Sequence, residues 1–531
     1  MAVVRQQLLA TAILSAAGLC AASQAFAQGT PVYGGTAIFT LQANPNGLNP
    51  AITTNIPDRQ IGCQLHQGLV EPSRDLSKIL PLLAKSWTIS PDGKTYSFDL
   101  VTTNWHDGKP FTSEDVKYTI TEVSTKMSAI FQPAGENIES IETPAPDKVV
   151  FKLKDSFGPF LTALACQQGA AILPAHIYKG TDVKSNPATT TSPVGTGAFK
   201  FAEWKQSEYV KMVKNPNFYE PGKPYLDAVI GKIIPTPAAR VQALQAGEVD
   251  YNPYYPLEQV KTLRANPNLQ AQEGDLPPSV QFIFLNTTRK PLDNKLVRKA
   301  LFMATDREYI FKNALFEVGN LSKQPFPSQI PWAVNPDIDY TKMYPFDIAK
   351  ANAMLDEAGF KRGADGKRFP LKIYIFTALY PEFNQVSQSL KAMWAQVGVD
   401  VSIEALETAT MGERVYNKLD YDVTLIGYTS YADPALGLAR SFVGSSVGKL
   451  FGNASGYANP EVDSLFDQGR KATAFADRGV FYKKAQAIIA DDVPVITLRE
   501  YKNVEGASKK LHGLWERAEN DGTWQDAWLD K

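Results

Sequence analysis

The pattern that most limits how this chain can fold is a strand–helix–strand unit in its second half. Residues 371–376 and 399–405 are rich in apolar and β-branched side chains, as buried strands are, and residues 386–397 between them carry apolar side chains at helical spacing. A unit of this kind joins its two strands by a right-handed crossover. A predicted helix at 411–419 and a predicted strand at 421–427 repeat the plan. The second half is therefore expected to be an α/β unit.

The first half of the chain also carries strand patterns, at residues 36–41, 198–201, 209–213 and 229–234. A stretch rich in Pro, Thr and Ser at 187–191 interrupts them. The chain has 531 residues, of which 44% are hydrophobic. At roughly 100–200 residues per domain, that length predicts two to four structural units with sizeable cores. We therefore predict two α/β lobes.

Two of the predicted strands, 371–376 and 421–427, end in loops that are rich in aromatic residues. In α/β folds, ligands bind beyond the carboxyl ends of the strands, so these loops suit a ligand cleft. The alternative is that their aromatic side chains pack into a lobe core. A further candidate comes from the loop after the first predicted strand. The candidate ligand residues are Tyr380, Asn384, Tyr428, Tyr431, Asp433 and Asn44.

The first 27 residues are predicted to be an export signal and not part of the fold. Arg5 supplies a positive start, residues 8–22 are apolar, and Ala25–Ala27 forms an Ala-x-Ala cleavage site before Gln28. The apolar run is shorter than the ~20 residues that a membrane-spanning helix needs. We therefore expect cleavage of the signal and an exported protein that does not span the membrane.

Cleavage at this site removes Cys20 and leaves Cys63 and Cys166. In an oxidising compartment, two cysteines either pair or remain as separate buried thiols. The sequence leaves both outcomes open, because it does not give the distance between the two Cα atoms.

The charge balance and the absent motifs exclude several classes of protein. Lys and Arg number 54 against 55 Asp and Glu, which argues against nucleic acid as a partner. The sequence contains no His-Glu-x-x-His motif, and its four histidines lie far apart. We predict no catalytic residue, no metal site and no cofactor. An exported hydrolase is the remote alternative.

Several segments together resemble one known family. The longest lies within residues 83–116 and contains Leu-Ala-Lys-Ser-Trp, Ser-Pro-Asp-Gly-Lys-Thr-Tyr and Trp-His-Asp-Gly-Lys-Pro-Phe in that order. Further matching segments follow at 193–199, 215–219, 244–250, 297–301 and 350–359. On these motifs the chain resembles the family 5 extracellular solute-binding proteins, which include the oligopeptide- and dipeptide-binding components of ABC importers.

This resemblance implies a two-lobed periplasmic-binding-protein (Venus-flytrap) fold with an extra α/β subdomain. The lobes would close over a ligand by a hinge near residues 285–287 and 495–497. The implied division is lobe I from 28–75, 196–283 and 497–531, the subdomain from 76–195, and lobe II from 284–496.

The resemblance also implies roles for two positions. Peptide-binding members use an aspartate in the segment matching 428–434 to hold the α-ammonium group of the peptide, and Asp433 lies there. The alternative is that Asp433 caps a helix that follows it and contains Leu436. Dipeptide-binding members carry an arginine before the helix at 386–397, where this chain has Asn384 and Gln385. The missing arginine argues against dipeptides.

The implied function is capture of a solute for an ABC importer, without catalysis. Longer peptides held by their backbone fit the departures from the family pattern, and so does a neutral solute such as an oligosaccharide or a sugar-linked opine. Tyr428, Tyr431 and Tyr380 could stack on either kind of ligand. The expected partners are a small solute and the permease subunits of the importer. We expect a monomer in the periplasm, although a chemoreceptor or chaperone role is compatible with the same fold.

The segment His106-Asp107-Gly108 invites a catalytic interpretation. In the family it belongs to a structural motif, and Asp-Gly is a turn-forming pair. We interpret it, and the loop Gly195-Thr196-Gly197, as structural.

Overall fold

The computed structural model describes residues 30–376, 380–517 and 523–531, with backbone alone at 275–276 and 408–409. The predicted export signal at 1–27 lies outside the described residues, and so do residues 377–379 of one predicted ligand loop.

The strands lie in two main sheets and two small hairpins. In chain order they are β1 (Thr36–Leu41), β2 (Val70–Pro72), β3 (Ile79–Pro81), β4 (Ala84–Ile89), β5 (Thr95–Leu100), β6 (Ile138–Ala145), β7 (Lys148–Leu153), β8 (Phe199–Lys205), β9 (Tyr209–Lys214), β10 (Ala228–Ile233), β11 (Tyr251–Asn252), β12 (Leu269–Leu285), β13 (Asn320–Leu321), β14 (Phe369–Ile375), β15 (Val399–Ala405), β16 (Val423–Thr429), β17 (Val495–Ser508), β18 (Leu511–His512) and β19 (Trp528–Leu529).

The longer helices belong mainly to the second half of the chain. In order, the helices are α1 (Ile56–Leu65), α2 (Ser113–Tyr118), α3 (Thr125–Met127), α4 (Gln132–Gly135), α5 (Phe160–Ala163), α6 (Ala175–Tyr178), α7 (Pro187–Thr190), α8 (Pro237–Gln245), α9 (Val260–Ala265), α10 (Lys295–Met303), α11 (Arg307–Asn313), α12 (Tyr340–Met343), α13 (Ile348–Glu357), α14 (Phe383–Ala395), α15 (Thr408–Met411), α16 (Pro460–Lys471) and α17 (Phe475–Asp492). None of the helices in the described ranges is long and apolar enough to cross a membrane.

A continuous sheet runs through both lobes in the order β15-β14-β16-β12-β17-β11-β1-β10-β9-β8. The predicted strand–helix–strand unit is present, since β14 pairs in parallel with β15 and α14 connects them. The strand predicted at 421–427 is present as β16, and it pairs in parallel with β14 rather than with β15. Lobe I contains β1 and β8–β11, and lobe II contains β14–β16. The two-lobed α/β fold is confirmed.

The lobe II sheet is buried on both faces because alternate residues of its strands point to opposite sides. On β12, Ile283 and Leu285 face an apolar cluster that includes Leu355 of α13 and Trp394 of α14. The alternate residues of the same strand, Phe282 and Phe284, face a second cluster on the other side of the sheet, hereafter the lobe II inner core. Its members include Val280, Phe282, Phe284, Phe442, Phe466 and Ile489.

The extra subdomain is built on an antiparallel sheet in the order β4-β5-β7-β6. On β5, Tyr96, Phe98 and Leu100 are buried on one face, which is the alternation that the sequence displays. Thr112 and Asp115 form a capping box at the start of α2.

The long antiparallel strands β12 and β17 join the lobes. Their register is interrupted between Gly274 and Ser279, where Pro277 and Pro278 have no N–H group to donate. From Ser279 onward, β12 pairs on its other side with β16 of lobe II. The strand pairing therefore changes at Ser279 on β12 and near Tyr501 on β17, while the lobe boundaries at 283/284 and 496/497 stay predictions. The periodicity could not show this, because one strand serves both lobes.

A disulfide joins Cys63 of α1 to Cys166 in the subdomain, with Cα atoms 6.0 Å apart. The two cysteines are separated by 103 residues in the sequence. The bond therefore ties the first helix of lobe I to a distant turn at 165–168.

The His106 ring joins the subdomain to the glycine loop at 195–197. Its Nε2 lies 3.0 Å from the Gly197 carbonyl oxygen, and its Nδ1 accepts the Gly195 N–H at 3.2 Å. A Cβ atom on Gly195 would lie 1.8 Å from the Leu65 carbonyl oxygen, so only glycine fits there. These contacts agree with the structural interpretation of both motifs.

We expect the free energy of unfolding to fall as the pH drops below about 6.5. Burial lowers the pKa of His66 to about 3 and that of His106 to about 4. In the unfolded chain both rings take up a proton near pH 6.5, so the stability is fully present above that pH and is lost as the pH falls towards 4 and then 3. Each ring accounts for about 1.4 kcal/mol per pH unit in its window.

Denaturant unfolding of the wild type and of His106→Gln between pH 7.5 and 5 measures this effect. The variant should be less stable at pH 7.5 but should lose less stability on acidification, because one titrating ring is gone. Equal pH slopes for the two proteins would contradict the prediction.

Candidate ligand cavity between the lobes

A cavity of about 240 Å³ lies where the two lobes and the subdomain meet. From the lobe I side and the subdomain it is lined by Ile56, Arg59, Gln60, Glu71, Pro72, Leu76, Ala165, Gln167, Gln168 and Tyr254. From the joining strands and lobe II it is lined by Gly274, Pro277, Ser279, Gln281, Tyr380, Gly427, Thr429, Tyr431, Ala432, Tyr501 and Asn503. The lining therefore combines tyrosines with many side-chain amides and few charges.

A buried ion pair bonds to Gln281, one of the residues that line the cavity. The Arg499 Nη2 donates to Glu382 Oε1 at 2.9 Å, and the Arg499 Nε donates to Gln281 Oε1 at 2.8 Å. Gln281 Nε2 donates to the same Glu382 oxygen at 3.0 Å. Burial lowers the pKa of Arg499, while the charge of Glu382 opposes that shift. This network fixes Gln281 in the cavity wall and offers the ligand no net charge.

Glu382 lies at the start of α14, just before Asn384 and Gln385, which stand where dipeptide-binding members were expected to have an arginine. Its carboxylate is bonded to Arg499. Asn384 is exposed, contributes nothing to the cavity lining, and accepts the Ser387 hydroxyl through its backbone carbonyl.

On the lobe I side, α1 carries Arg59 and Gln60 to the cavity. The Arg59 guanidinium donates to Gln167 Oε1 at 2.7 Å and also to the Gln167 carbonyl oxygen. The disulfide from Cys63 lies one turn further along the same helix. The helix and the turn at 165–168 are thus held together by a covalent bond and by an arginine.

The side chain of Gln60 has no hydrogen-bond partner among the described residues. It is 4% exposed, and neither its Oε1 nor its Nε2 is bonded. Gln168 is 7% exposed, and its Oε1 has no partner within the described ranges either. A buried amide without partners costs about 1–3 kcal/mol. These two side chains therefore point to a ligand that supplies donors and acceptors.

Glu71 brings a carboxylate to the cavity wall, but Arg517 pairs with it at 2.5 Å. Arg517 also binds Glu220 and Asp526. Burial works against the charge of Arg517, but Glu71, Asp526 and Glu220 together raise its pKa. The Glu71 charge is therefore balanced within lobe I.

Two of the predicted tyrosines line the cavity and one does not. Tyr380 and Tyr431 belong to its wall, and burial raises the pKa of Tyr380, which keeps its hydroxyl proton. Tyr428 is 2% exposed and lies in the lobe II inner core, where its hydroxyl donates to the Gly452 carbonyl oxygen and also bonds to the Tyr416 hydroxyl. Tyr428 therefore matches the alternative interpretation, in which the aromatic side chain packs into a lobe core.

Asp433 is fully buried and bound within the protein. Its carboxylate accepts the Arg478 Nη1 and Nη2 at 2.5 and 2.6 Å, and the side chains of both residues are 0% exposed. Oδ1 also accepts the Ala435 N–H at 2.9 Å, but the residues around Leu436 form turns and not the predicted helix, so the bond closes a turn. Asp433 is absent from the cavity lining. We therefore do not retain it as the anchor for a ligand ammonium group.

Asn44 also has a structural position away from the cavity. Its Oδ1 accepts the Ser207 N–H at 3.0 Å, and its Nδ2 donates to Gln206 at 2.8 Å. It fixes the turn between β8 and β9.

Comparison with known proteins decides the family. Residues 78–449 match the model of the bacterial extracellular solute-binding proteins, family 5. The chain belongs to this family.

Individual relatives cover nearly the whole chain. The glutathione-binding protein GsiB of Pectobacterium atrosepticum is 28% identical over 531 residues, with 97% of each chain covered. The oligopeptide-binding protein AppA of Bacillus subtilis, solved with a nonapeptide, is 27% identical with a TM-score of 0.73, covering 94% of this chain and 100% of that one. The periplasmic binding protein DppA of Helicobacter pylori, solved with the peptide STSA, is 26% identical with a TM-score of 0.73, covering 94% of this chain and 99% of that one.

Several residues of this solute-binding protein's cavity were missed by the sequence analysis. Strand alternation could have found some of them: Gly427 and Thr429 line the cavity on either side of the buried Tyr428, and Ser279 and Gln281 do so on either side of Val280. No comparable signal marks Arg59 and Gln60, because one turn of a helix does not show which face meets the other lobe.

Proposed function

We propose that this protein is the substrate-binding component of an ABC importer and that it captures short peptides between its lobes. The observation that carries the proposal is Gln60, a buried amide at the cavity whose donor and acceptor both lack partners among the described residues. A peptide unit presents an N–H and a C=O group side by side, so it can satisfy both.

The lining fits this class of ligand in two further ways. Gln168, Gln281 and Asn503 add amides that can bond to a peptide backbone, whichever side chains the peptide carries. Tyr380 and Tyr501 offer aromatic surface for those side chains. GsiB is a glutathione-binding protein, and AppA and DppA were solved with bound peptides, so these relatives support the same class.

The proposed mechanism is capture by closure. A ligand that bonds to Gln60 of lobe I and to Gln281 or Thr429 on the lobe II side stabilises the closed state over the open one. The closed form then delivers its cargo to the permease. We propose that the protein works as a monomer in the periplasm after removal of its export signal, and that it binds its ligand without turnover.

A second candidate is a neutral, hydroxyl-rich solute such as an oligosaccharide or an opine. The observation that favours it is the internal pairing of Asp433 with Arg478, which takes away the expected anchor for a peptide ammonium group. Tyrosines and side-chain amides also suit sugar hydroxyls.

Native mass spectrometry of the mature protein, purified from its host and then denatured, identifies any retained cargo. Peptide masses would support the first candidate, and glycan or opine masses would support the second and contradict the first. Incubation of the protein with model peptides and glycosides tests turnover, and hydrolysis of either at a catalytic rate would contradict a purely binding role.

Gln60→Met should have opposite effects on stability and on binding. The substitution keeps the volume but removes an unpaired buried amide, so the ligand-free protein should become more stable, by up to about 1–2 kcal/mol. Ligand affinity should fall by about 10- to 100-fold, because the bonds to the ligand are lost. Calorimetry with the identified ligand, together with denaturant unfolding, measures both effects.

Gln388→Met is the matched control, since Gln388 is exposed on α14 and lies outside the cavity lining. It should leave affinity unchanged. Wild-type affinity in Gln60→Met would contradict the assignment of Gln60 as a ligand residue.

A further inference from the structure

The hairpin of β2 and β3 carries a single buried apolar side chain at its tip. Leu76 is 3% exposed, while Asp75 and Ser77 beside it are exposed. The Asp75 carboxylate accepts the Ser73 hydroxyl at 2.6 Å and the Ser77 N–H at 3.1 Å. Local hydrogen bonds thus fix the tip, which presents Leu76 with φ at +54°.

Leu76 packs into the opposite lobe. It belongs to the lobe II inner core, and the other fully buried members of that cluster in the described chain lie between Val280 and Val495. Leu76 also lines the ligand cavity. One leucine from the hairpin therefore crosses the cleft and enters the opposite lobe beside the candidate ligand cavity.

Lobe II makes the reciprocal contact. Leu436, which follows the Asp433 turn, packs against the apolar core of the subdomain. Near it, the Gly158 N–H donates to the Arg470 carbonyl oxygen at 2.7 Å, and the Ser156 hydroxyl donates to the Lys471 carbonyl oxygen at 2.5 Å. These bonds join the subdomain to the C-terminal end of α16.

The backbone approach at Gly158 is close enough to exclude a side chain. A Cβ atom there would lie 2.0 Å from the Ala472 carbonyl oxygen and 2.8 Å from Arg478 Nε. Arg478 is the partner of Asp433, so the buried ion pair supports the surface on which the subdomain rests.

We propose that Leu76, Leu436 and the Gly158 contact form a latch that stabilises the closed state without any ligand. This inference rests on the proposed function in that it assumes the lobes open and close around a solute. When the lobes separate, both leucines return to water, so their burial favours closure. The ligand-free protein is therefore already partly closed, and the latch raises affinity by slowing release of the ligand.

Leu76→Asn tests the latch directly. Asparagine tolerates a positive φ, so the tip keeps its shape while its apolar contact is lost. In small-angle X-ray scattering, the ligand-free variant should have a larger radius of gyration than the ligand-free wild type. Leu450→Asn is the matched control, since Leu450 is 57% exposed on lobe II, and it should scatter like the wild type. Equal radii for Leu76→Asn and the wild type would overturn the proposal.

Gly158→Ala is a second variant that acts at the other contact. Alanine clashes with Ala472 only while the subdomain and lobe II touch, so this variant should also expand without losing its helical circular dichroism. If both variants scatter like the wild type, the latch does not exist.

Binding of glutathione and of a casein digest containing peptides of two to five residues provides an independent readout. Each variant should bind about 10- to 100-fold more weakly than the wild type, with most of the change in the dissociation rate. Wild-type dissociation rates in the variants would overturn the proposal. If the wild type binds neither probe, the proposed peptide function is contradicted, and the ligand-free scattering still decides the latch.

Discussion

Arg478→Met is expected to lower the free energy of unfolding by about 3–5 kcal/mol, because it leaves the Asp433 carboxylate buried without its partner. Both side chains are 0% exposed, and two hydrogen bonds of 2.5 and 2.6 Å join them. The guanidinium also donates to the Gly469 carbonyl oxygen and to the Tyr482 hydroxyl. Removing one charge from such a site costs much more stability than replacing the whole ion pair by apolar residues would.

The double variant Asp433→Asn with Arg478→Met should recover most of the lost stability. Asparagine keeps an oxygen that can accept the Ala435 N–H, and no charge then remains buried. Denaturant unfolding of the wild type, both single variants and the double variant gives the coupling free energy. Lys205→Met serves as the control, because it breaks the solvent-exposed pair with Glu208 and should change little.

The same variants distinguish two roles for Asp433. If the carboxylate held the ammonium group of a ligand, Asp433→Asn would weaken binding and leave stability nearly unchanged. We expect the opposite result. Each single variant should clearly lose stability, and the double variant should still bind the ligand. Additive effects of the single substitutions would contradict the assignment of the pair as structural.

Loss of the Cys63–Cys166 disulfide is expected to cost about 4–5 kcal/mol. The bond closes a loop of 103 residues, and a loop of that size restricts the unfolded chain by about that amount in the chain-entropy model. The double variant Cys63→Ser with Cys166→Ser should therefore unfold at much lower denaturant concentration. Comparable stability in the oxidised wild type and the double variant would contradict the prediction.

The disulfide should also affect ligand binding. It holds α1, which carries Arg59 and Gln60, against the turn that carries Gln167 and Gln168. Without it, these ligand-facing groups must be ordered at the moment of binding, which costs affinity. Reductant should lower the affinity of the wild type and leave that of the serine variant unchanged, which separates loss of the bond from other effects of reductant.

Much of the fold could be predicted from the sequence, because local periodicity reports local burial. The unit of β14, α14 and β15 was predicted from apolar spacing, and the alternation on β5 correctly gave its buried face. The lobe boundary stays a prediction. β12 and β17 each run through both lobes, so only the pairing register locates the change of partner.

The ligand cavity was predicted in part, for a related reason. The loops after β14 and β16 do reach the cavity, through Tyr380 and Tyr431. Tyr428 turns away because its position on the strand places it on the face opposite to Gly427 and Thr429. An aromatic-rich loop thus marks the right region, but the parity of each residue along the strand decides which side chains face the ligand.

The sequence by itself determined the family, the α/β class and the expectation of an exported binding protein, since these depend on motifs and periodicities that can be read locally. Only the tertiary structure decided which polar groups remain for a ligand. Asp433 and Glu382 are committed to Arg478 and Arg499, which are 45 and 117 residues away in the chain, whereas the Gln60 amide has no partner within the described residues. The physical reason is that a buried polar group is stable only when bonded, and its partners are brought to it by the packing of distant segments.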